Sequence, residues 1–317
     1  MTVFVTGANG YIAKHIIVQL LNKNYQVIGI VRTKEKGDFI TKQFNNDNFK
    51  YLIVSDYLDA HAFDLIKDYP EISTVIHTAA LVNFNADRTS DIIDSAINST
   101  KNILDSIKNF GPNVKSVVLT SSVVSAYRFK NQLPEYNEST WNDVEESDAT
   151  NTFLAYQYGK TASEKYAWDY VEKNHQNYSF STILPSVSFG PQAFDNDIRP
   201  TLNESAEIIN GLVTKKHVAD WIKAGNFIDV RDVAKAHIIA FEKNLNQRLI
   251  VANDEFSVHE IIEIIKSKYP NLDLPSAEKL EITRNINNSK SKKTLGFELI
   301  DLKKSVLDTT EQILQST

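Results

Sequence analysis

Tyr156-Gln157-Tyr158-Gly159-Lys160 sets a phenol and an ammonium four residues apart, in a segment that continues helically through Thr161–Glu172. Residues i and i+4 share a helix face, so the two side chains can point to one site. A free phenol ionises near ~10, and a neighbouring cation favours its anion, which suits it to proton exchange closer to neutrality. Of thirteen tyrosines only Tyr156 has Lys at i+4. About one such pair arises by chance, so the pair needs a setting. Thr120-Ser121-Ser122 supplies one: it ends an apolar run read as a parallel strand, where open α/β sheets put ligand-contacting residues. Taken singly, the two serines read as turn or capping residues.

Thr6-Gly7-Ala8-Asn9-Gly10-Tyr11-Ile12-Ala13 is the second chemical signal. Glycine suits a tight turn and the approach of backbone to a pyrophosphate, and Ala13 suits close packing of helix on strand. The pattern G-x-x-G-x-x-A is weak alone and also reads as a structural turn. It gains weight because it joins a first strand to a first helix, with a second strand following at Tyr25–Val31. That second strand ends in Val31-Arg32, with Lys36 four residues on, where an NAD site usually carries an acid. A guanidinium there can grip a 2′-phosphate, and an ammonium can add charge, which favours NADP(H) over NAD(H). The alternative is a pair of exposed cations on a loop.

The elements that must carry these residues are β-rich runs alternating with amphipathic helices. Strands are expected at Thr2–Thr6, Tyr25–Val31, Tyr51–Val54, Thr74–Thr78, Ser116–Thr120 and Phe180–Leu184, and helices at Ile12–Asn22 and Asp91–Asn109. Such interleaving predicts an α/β fold, a Rossmann-type doubly wound parallel sheet. After Pro185 the rhythm changes: Phe189-Gly190-Pro191 breaks it, a helical segment follows near Leu202–Leu212, and Arg248–Val251 reads as one more strand. Ser257–Tyr269 reads as a helix with a Ser257/Glu260 capping box. The expected division is a dinucleotide-binding domain over 1–185 and a smaller substrate-binding lobe over 186–317, with segments around 225–253 returning to the first domain. Ser289–Lys293 reads as a solvated basic surface.

The Gly turn, Arg32, His77-Thr78-Ala79, Thr120-Ser121-Ser122, Tyr156-x-x-x-Lys160 and Phe227-Ile228-Asp229-Val230-Arg231-Asp232-Val233-Ala234-Lys235-Ala236-His237 occur in one order along nearly the whole chain. The ordered set resembles the extended short-chain dehydrogenase/reductases. Within these it is similar to the yeast NADPH-dependent methylglyoxal/3-methylbutanal reductases, relatives of plant dihydroflavonol reductase. The resemblance implies reduction of an aldehyde or ketone. Tyr156 would give its proton to the substrate oxygen as hydride leaves the nicotinamide, Lys160 would stabilise tyrosinate and hold the ribose, and Ser122 would orient the carbonyl. Asn98 matches a helix asparagine assigned to a proton relay, and a purely structural role is as compatible with the sequence. By the same resemblance Gly7, Asn9, Gly10, Tyr11, Ile12, Arg32 and Lys36 would bind the cofactor. Asp56 and Tyr57 would edge the adenine, Ala79 line the cleft, Pro185 and Ser188 flank the nicotinamide, and Ser205 reach the phosphates. Leu81, Val82, Phe84 and Val123 are candidate liners of a largely apolar substrate pocket, with Trp221 a weaker one. Val123 stands where an aromatic is common among those yeast reductases, and the smaller side chain would widen the pocket.

Composition narrows the alternatives. No cysteine is present, which removes disulfides, thiolate nucleophiles and Cys-based metal sites. The histidines form no H-x-x-x-H or H-E-x-x-H pair, and the serines sit in no G-x-S-x-G elbow. His77 reads as a packed strand-end residue rather than a base. A net charge of −6 gives no general reason to bind nucleic acid or an anionic membrane. No stretch approaches the ~20 apolar residues of a membrane span, and the N-terminus lacks a signal-like h-region. A cytoplasmic protein, monomer or homodimer, acting on a small carbonyl compound is expected. Two rivals stay in view: a sugar-nucleotide epimerase or dehydratase on the same scaffold, disfavoured by Arg32, and a non-catalytic NADPH sensor, disfavoured by the retained Tyr156 and Lys160.

Overall fold

A computed structural model describes residues 1–79, 88–174, 176–202, 204–219, 222–280 and 285–316. Leu81, Val82, Phe84 and Trp221, expected near the substrate, lie outside the described residues. In chain order the elements are β1 (Thr2–Thr6), α1 (Tyr11–Asn22), β2 (Gln26–Val31), α2 (Lys34–Phe44), β3 (Phe49–Ile53), β4 (Ile72–His77), α3 (Thr89–Phe110), β5 (Ser116–Thr120) and α4 (Thr152–Lys173). There follow β6 (Ser179–Pro185), β7 (Val187–Phe189), α5 (Glu204–Asn210), β8 (Ala224–Asp229), α6 (Val230–Glu242), β9 (Arg248–Val251), β10 (Glu255–Ser257), α7 (Val258–Lys268), α8 (Ser289–Leu295) and α9 (Leu302–Ser316).

Seven strands pair in parallel in the order β3-β2-β1-β4-β5-β6-β9. Helices cover both faces, so β1, β5 and β6 are buried throughout, which is why they read as unbroken apolar or small-residue runs. One face packs Val3, Val5, Ile16, Ile17 and Leu20 with Val233, Ala236 and Phe241 of α6. The other packs Phe4, Ile28, Val75 and Val117 with Ile103, Leu104 and Ile107 of α3. The strand order reverses between β1 and β4, and such a switch point opens a crevice at the carboxyl ends of the strands. Thr6-Gly7, Arg32, Thr78-Ala79, Ser121-Ser122 and Pro185 all fall at that edge.

A smaller sheet, β10-β8-β7, carries its own core of Phe189, Phe227, Phe256, Ile261 and Val306. Asp229 caps α6 by accepting from Arg231 N at 2.8 Å, and Arg231 pairs with both Asp229 and Asp308 of α9. That network engages two of the five polar residues in the Phe227–His237 motif. Lys14 of α1 pairs with Asp197, both nearly buried, which fixes the 195–197 turn against the large sheet.

Most boundaries differ from the sequence reading by one or two residues, and three segments differ in a way that has a physical reason. β3 spans Phe49–Ile53 rather than Tyr51–Val54: it is an edge strand in which Phe49 alone is buried, so its anchor is Phe49. A Cβ on Gly29 would stand 2.9 Å from that ring, so the bare glycine makes its room. The expected Leu202–Leu212 helix is α5 followed by a π-helical turn, Gly211–Lys215. The Ser289–Lys293 run forms α8: its lysines are exposed, but Ser291 is buried and its backbone N donates to Glu138 Oε1 at 3.1 Å. At α7 one arm of the capping box forms, Glu260 N to Ser257 Oγ at 3.2 Å.

Candidate active site

The turn after β1 is built for close backbone approach. Gly7 has φ +68°, and a Cβ there would stand 3.3 Å from Ala79 Cα and from Thr78 Oγ1. Both features demand glycine. Gly10 N donates to Gly7 O at 2.8 Å, closing the turn, and Gly10 then starts α1 with no side-chain cap. The first-turn amides of Tyr11, Ile12 and Ala13 therefore keep their donors and the positive end of the helix dipole for an anion. Ala13 is buried in the α1–sheet contact. Tyr11 is half-buried and its hydroxyl donates to Gly190 O at 2.5 Å, so what Tyr11 can offer a phosphate is its backbone N–H. Asn9 and Ile12 are half-buried at the same turn.

Arg32 and Lys36 are exposed, and neither makes an ion pair with any acid among the described residues. Thr33 caps α2 between them. The Arg32 guanidinium lies 5.5 Å from the centre of the Tyr57 ring, and Tyr57 is buried with its hydroxyl donating to Ile30 O at 3.4 Å. Asp56 is exposed and accepts from Leu58 N at 2.9 Å. Ala79 is buried, and its N donates to Thr6 Oγ1 at 3.1 Å. The backbone turn, the unpaired cations and an aromatic floor thus meet at one edge. Their chemistry fits a phosphorylated dinucleotide.

The second half of the site stands at the end of β5. Asn151 caps α4 through Leu154 N, and the helix carries Tyr156 and Lys160 on one face. Tyr156 is half-buried, packed both on the cluster holding Val123 and Val124 and on Ile92, Ile93 and Ala155. Lys160 is buried and donates from Nζ to Thr120 O at 3.1 Å, one residue before the serines. Burial pushes its ammonium down to about 8, against the opposing effect of the Glu164 charge. A cation with so little solvation is responsive to a neighbouring ionising group.

The two serines have separate fates. Ser121 Oγ donates to Glu164 Oε2 at 2.7 Å, whereas among the described residues Ser122 Oγ only accepts, from Val124 N at 3.4 Å, which leaves its own proton for a further acceptor. Behind them, His237 Nδ1 lies 2.8 Å from Val233 O and so carries the proton. Its Nε2 then accepts from Thr120 Oγ1 at 2.7 Å. His77 is buried with Nδ1 2.9 Å from Thr6 Oγ1. Burial, and next the Lys160 charge, push it down to about 3, so it packs as a neutral residue.

The remaining expected residues fall nearby with plainer roles. Asn98 is half-buried on α3, two residues beyond Ala96; a Cβ on Gly159 of α4 would stand 3.3 Å from Ala96 Cβ, so the two helices meet there at close range. Asn98 makes no direct hydrogen bond to Lys160. Pro185 ends β6, Ser188 donates to Ser186 O at 3.2 Å, and Ser205 is half-buried in α5. Val123 is buried in the turn after Ser122.

Sequence reasoning missed Glu164 and Arg248. Glu164 is wholly buried one turn beyond Lys160, and Arg248 Nε donates to its Oε1 at 2.8 Å. Thr182, Ser121 and Ser125 hydroxyls also donate to it, at 2.7, 2.7 and 2.5 Å. The available signal was a guanidinium opening an otherwise apolar strand, Arg248–Val251.

Residues 3–252 match the model of the NAD dependent epimerase/dehydratase family. The chain belongs to this family. The NADPH-dependent methylglyoxal reductase GRE2 of Saccharomyces cerevisiae is 37% identical to it, over 99% of this chain and 98% of that protein. Two solved structures superpose with TM-scores of 0.92. One is the yeast methylglyoxal/isovaleraldehyde reductase Gre2 complexed with NADPH (36% identity, 99% of this chain and 98% of that one). The other is Gre2 of Candida albicans in complex with NADPH (39% identity, 100% and 99%). Both likenesses run through the two sheets and the C-terminal helices, well past the part that the family model covers.

Proposed function

We propose that the chain is an NADPH-dependent reductase of aldehydes and ketones, with Tyr156 as the proton donor. The observation that carries this reading is the buried Lys160, held on Thr120 O at 3.1 Å, on the same α4 face as Tyr156 and beside the uncommitted hydroxyl of Ser122. Full-length likeness to reductases named for NADPH and methylglyoxal supports it.

The Gly7–Gly10 turn, with the first amides of α1, would hold the pyrophosphate, and Arg32 and Lys36 the 2′-phosphate. Asp56, Tyr57, Ala79, Pro185, Ser188 and Ser205 would line the rest of the cofactor's course. When bound, the cofactor supplies the hydride. Ser122 donates to the substrate carbonyl oxygen and fixes its orientation. Tyr156 delivers its proton to that oxygen as negative charge builds there, and the Lys160 ammonium stabilises the phenolate left behind. Asn98 would support the water that returns the proton. Residues 1–185, with the return at 225–253, form the cofactor side in this reading, and the rest of 186–317 closes an apolar pocket to which Val123 contributes. The proposed compartment is the cytoplasm; among the described residues no helix is long and apolar enough to cross a membrane.

The test is the absorbance of NADPH during incubation with methylglyoxal, branched aldehydes and aryl ketones, repeated with NADH. Turnover of at least one carbonyl, faster with NADPH, is expected. Tight NADPH binding with no turnover across the panel would instead make the chain a cofactor-binding sensor.

A further inference from the structure

Arg248, Thr182, Ser121 and Ser125 converge on one carboxylate from three elements: β9, β6 and the turn after β5. Glu164 is 0% exposed and Arg248 8%, and the guanidinium is held further by Glu138 O at 2.8 Å and Thr140 O at 2.6 Å. Its face stacks on Trp141, 3.6 Å from the ring centre. Four good donors fill the acceptor sites of an ionised carboxylate. Burial alone would raise its pKa; the guanidinium and the hydroxyls outweigh that and hold it below the ordinary value. Glu164 therefore stays charged, one helical turn beyond Lys160.

We propose that Glu164, clamped by Arg248, is a positioning residue of the reduction: it keeps the buried Lys160 in its cationic form and holds Ser121 away, so that Ser122 alone faces the substrate. This rests on the roles given above to Tyr156, Lys160 and Ser122. Each half follows from the geometry. The Ser121 hydroxyl is spent on Glu164 Oε2, so the serine pair is sorted by a hydrogen bond rather than by position in the strand. Among the described residues, Lys160 has a backbone carbonyl as its one hydrogen-bond partner, too little to hold a buried charge.

Among the described residues the titratable groups around that ammonium are few. Tyr156 and Glu164 flank it on α4, His77 faces it from β4, and His237 stands behind Thr120 on α6. Both histidines are neutral, pushed by burial to about 3 and about 4. Arg248 lies behind Glu164, and α3 presents Ile92, Ile93 and Ala96 where it meets Gly159. Glu164 is thus the carboxylate that supports the cation.

The experiment compares the pH profile of kcat/KM for one carbonyl substrate in wild type, Glu164→Gln, and Glu164→Gln with Arg248→Met. Glutamine keeps neutral hydrogen bonds but leaves Arg248 unpaired, so the single variant should lose stability; the double variant removes both charges and should regain most of its Tm. In both, the alkaline limb should move down by about one pH unit, because Lys160 gives up its proton earlier without the carboxylate. A purely structural role predicts that the limb returns to the wild-type position as Tm recovers in the double variant. That outcome would overturn the proposal. Tyr156→Phe, run alongside, reports on the reading beneath it. If Tyr156→Phe retains wild-type activity, that reading fails; if it is inactive while the limbs coincide, only the role of Glu164 fails.

Discussion

Arg32 and Lys36 stand in water at the end of β2, while Lys160, Glu164 and Arg248 lie buried behind β5 and β6, and solvent makes these two groups of charges behave differently. The exposed pair is screened by solvent, so it can attract and select an anion but is poorly suited to hold a reacting group rigidly. The buried set is held by fixed hydrogen bonds, Lys160 to a backbone carbonyl and Glu164 and Arg248 to each other. Such a set needs no rearrangement when charge develops next to it. Binding and chemistry are therefore separable here: residues at the turn should act on KM, and residues at the buried cluster on kcat or on folding itself.

Mutations at each end can break that separation. The largest effect is expected from Arg248→Met alone, which strands Glu164 without its cation. Loss of one member of a buried pair costs about 3–5 kcal/mol, read as a lower urea midpoint at unchanged m. A midpoint within error of wild type would mean that the pair is not buried in solution. Next, Ser122→Ala should lower kcat about 10²-fold, as loss of a preorganised donor does, whereas Ser121→Ala should stay within a few-fold. The reverse order would exchange the two serines. Smallest is Arg32→Asp, which should raise the KM for NADPH about tenfold with little change for NADH, since only the former offers a 2′-phosphate. An equal rise for both would remove the selectivity argument.

The cofactor end was more legible in the sequence than the catalytic floor. Gly7 announces itself because φ +68° and the close approach of Ala79 favour a residue without a Cβ, Gly10 because it closes that turn at the start of α1, and Arg32 because it replaces an expected acid. Buried strands such as β5 and β6 were read nearly to the residue, since both faces are covered and the apolar run is continuous. Edge strand β3 was misplaced by two residues because it is only partly covered and its one buried anchor, Phe49, lies ahead of the apolar stretch. Glu164 went unread for another reason: its environment is assembled from residues 18 to 84 positions away, and nothing in the local pattern separates it from a solvated helix glutamate. The choice of Ser122 over Ser121 came from resemblance, and the hydrogen bond of Ser121 to Glu164 gives it an independent physical basis.

The central claim is that a phenol on α4, beside a buried ammonium, delivers the proton that completes carbonyl reduction. Its most direct test is Tyr156→Phe, with NADPH binding followed by fluorescence and turnover by absorbance on the same preparation. The account predicts binding within a few-fold of wild type and a loss of about 10²–10⁴-fold in kcat. Turnover near the wild-type rate with NADPH bound would contradict it.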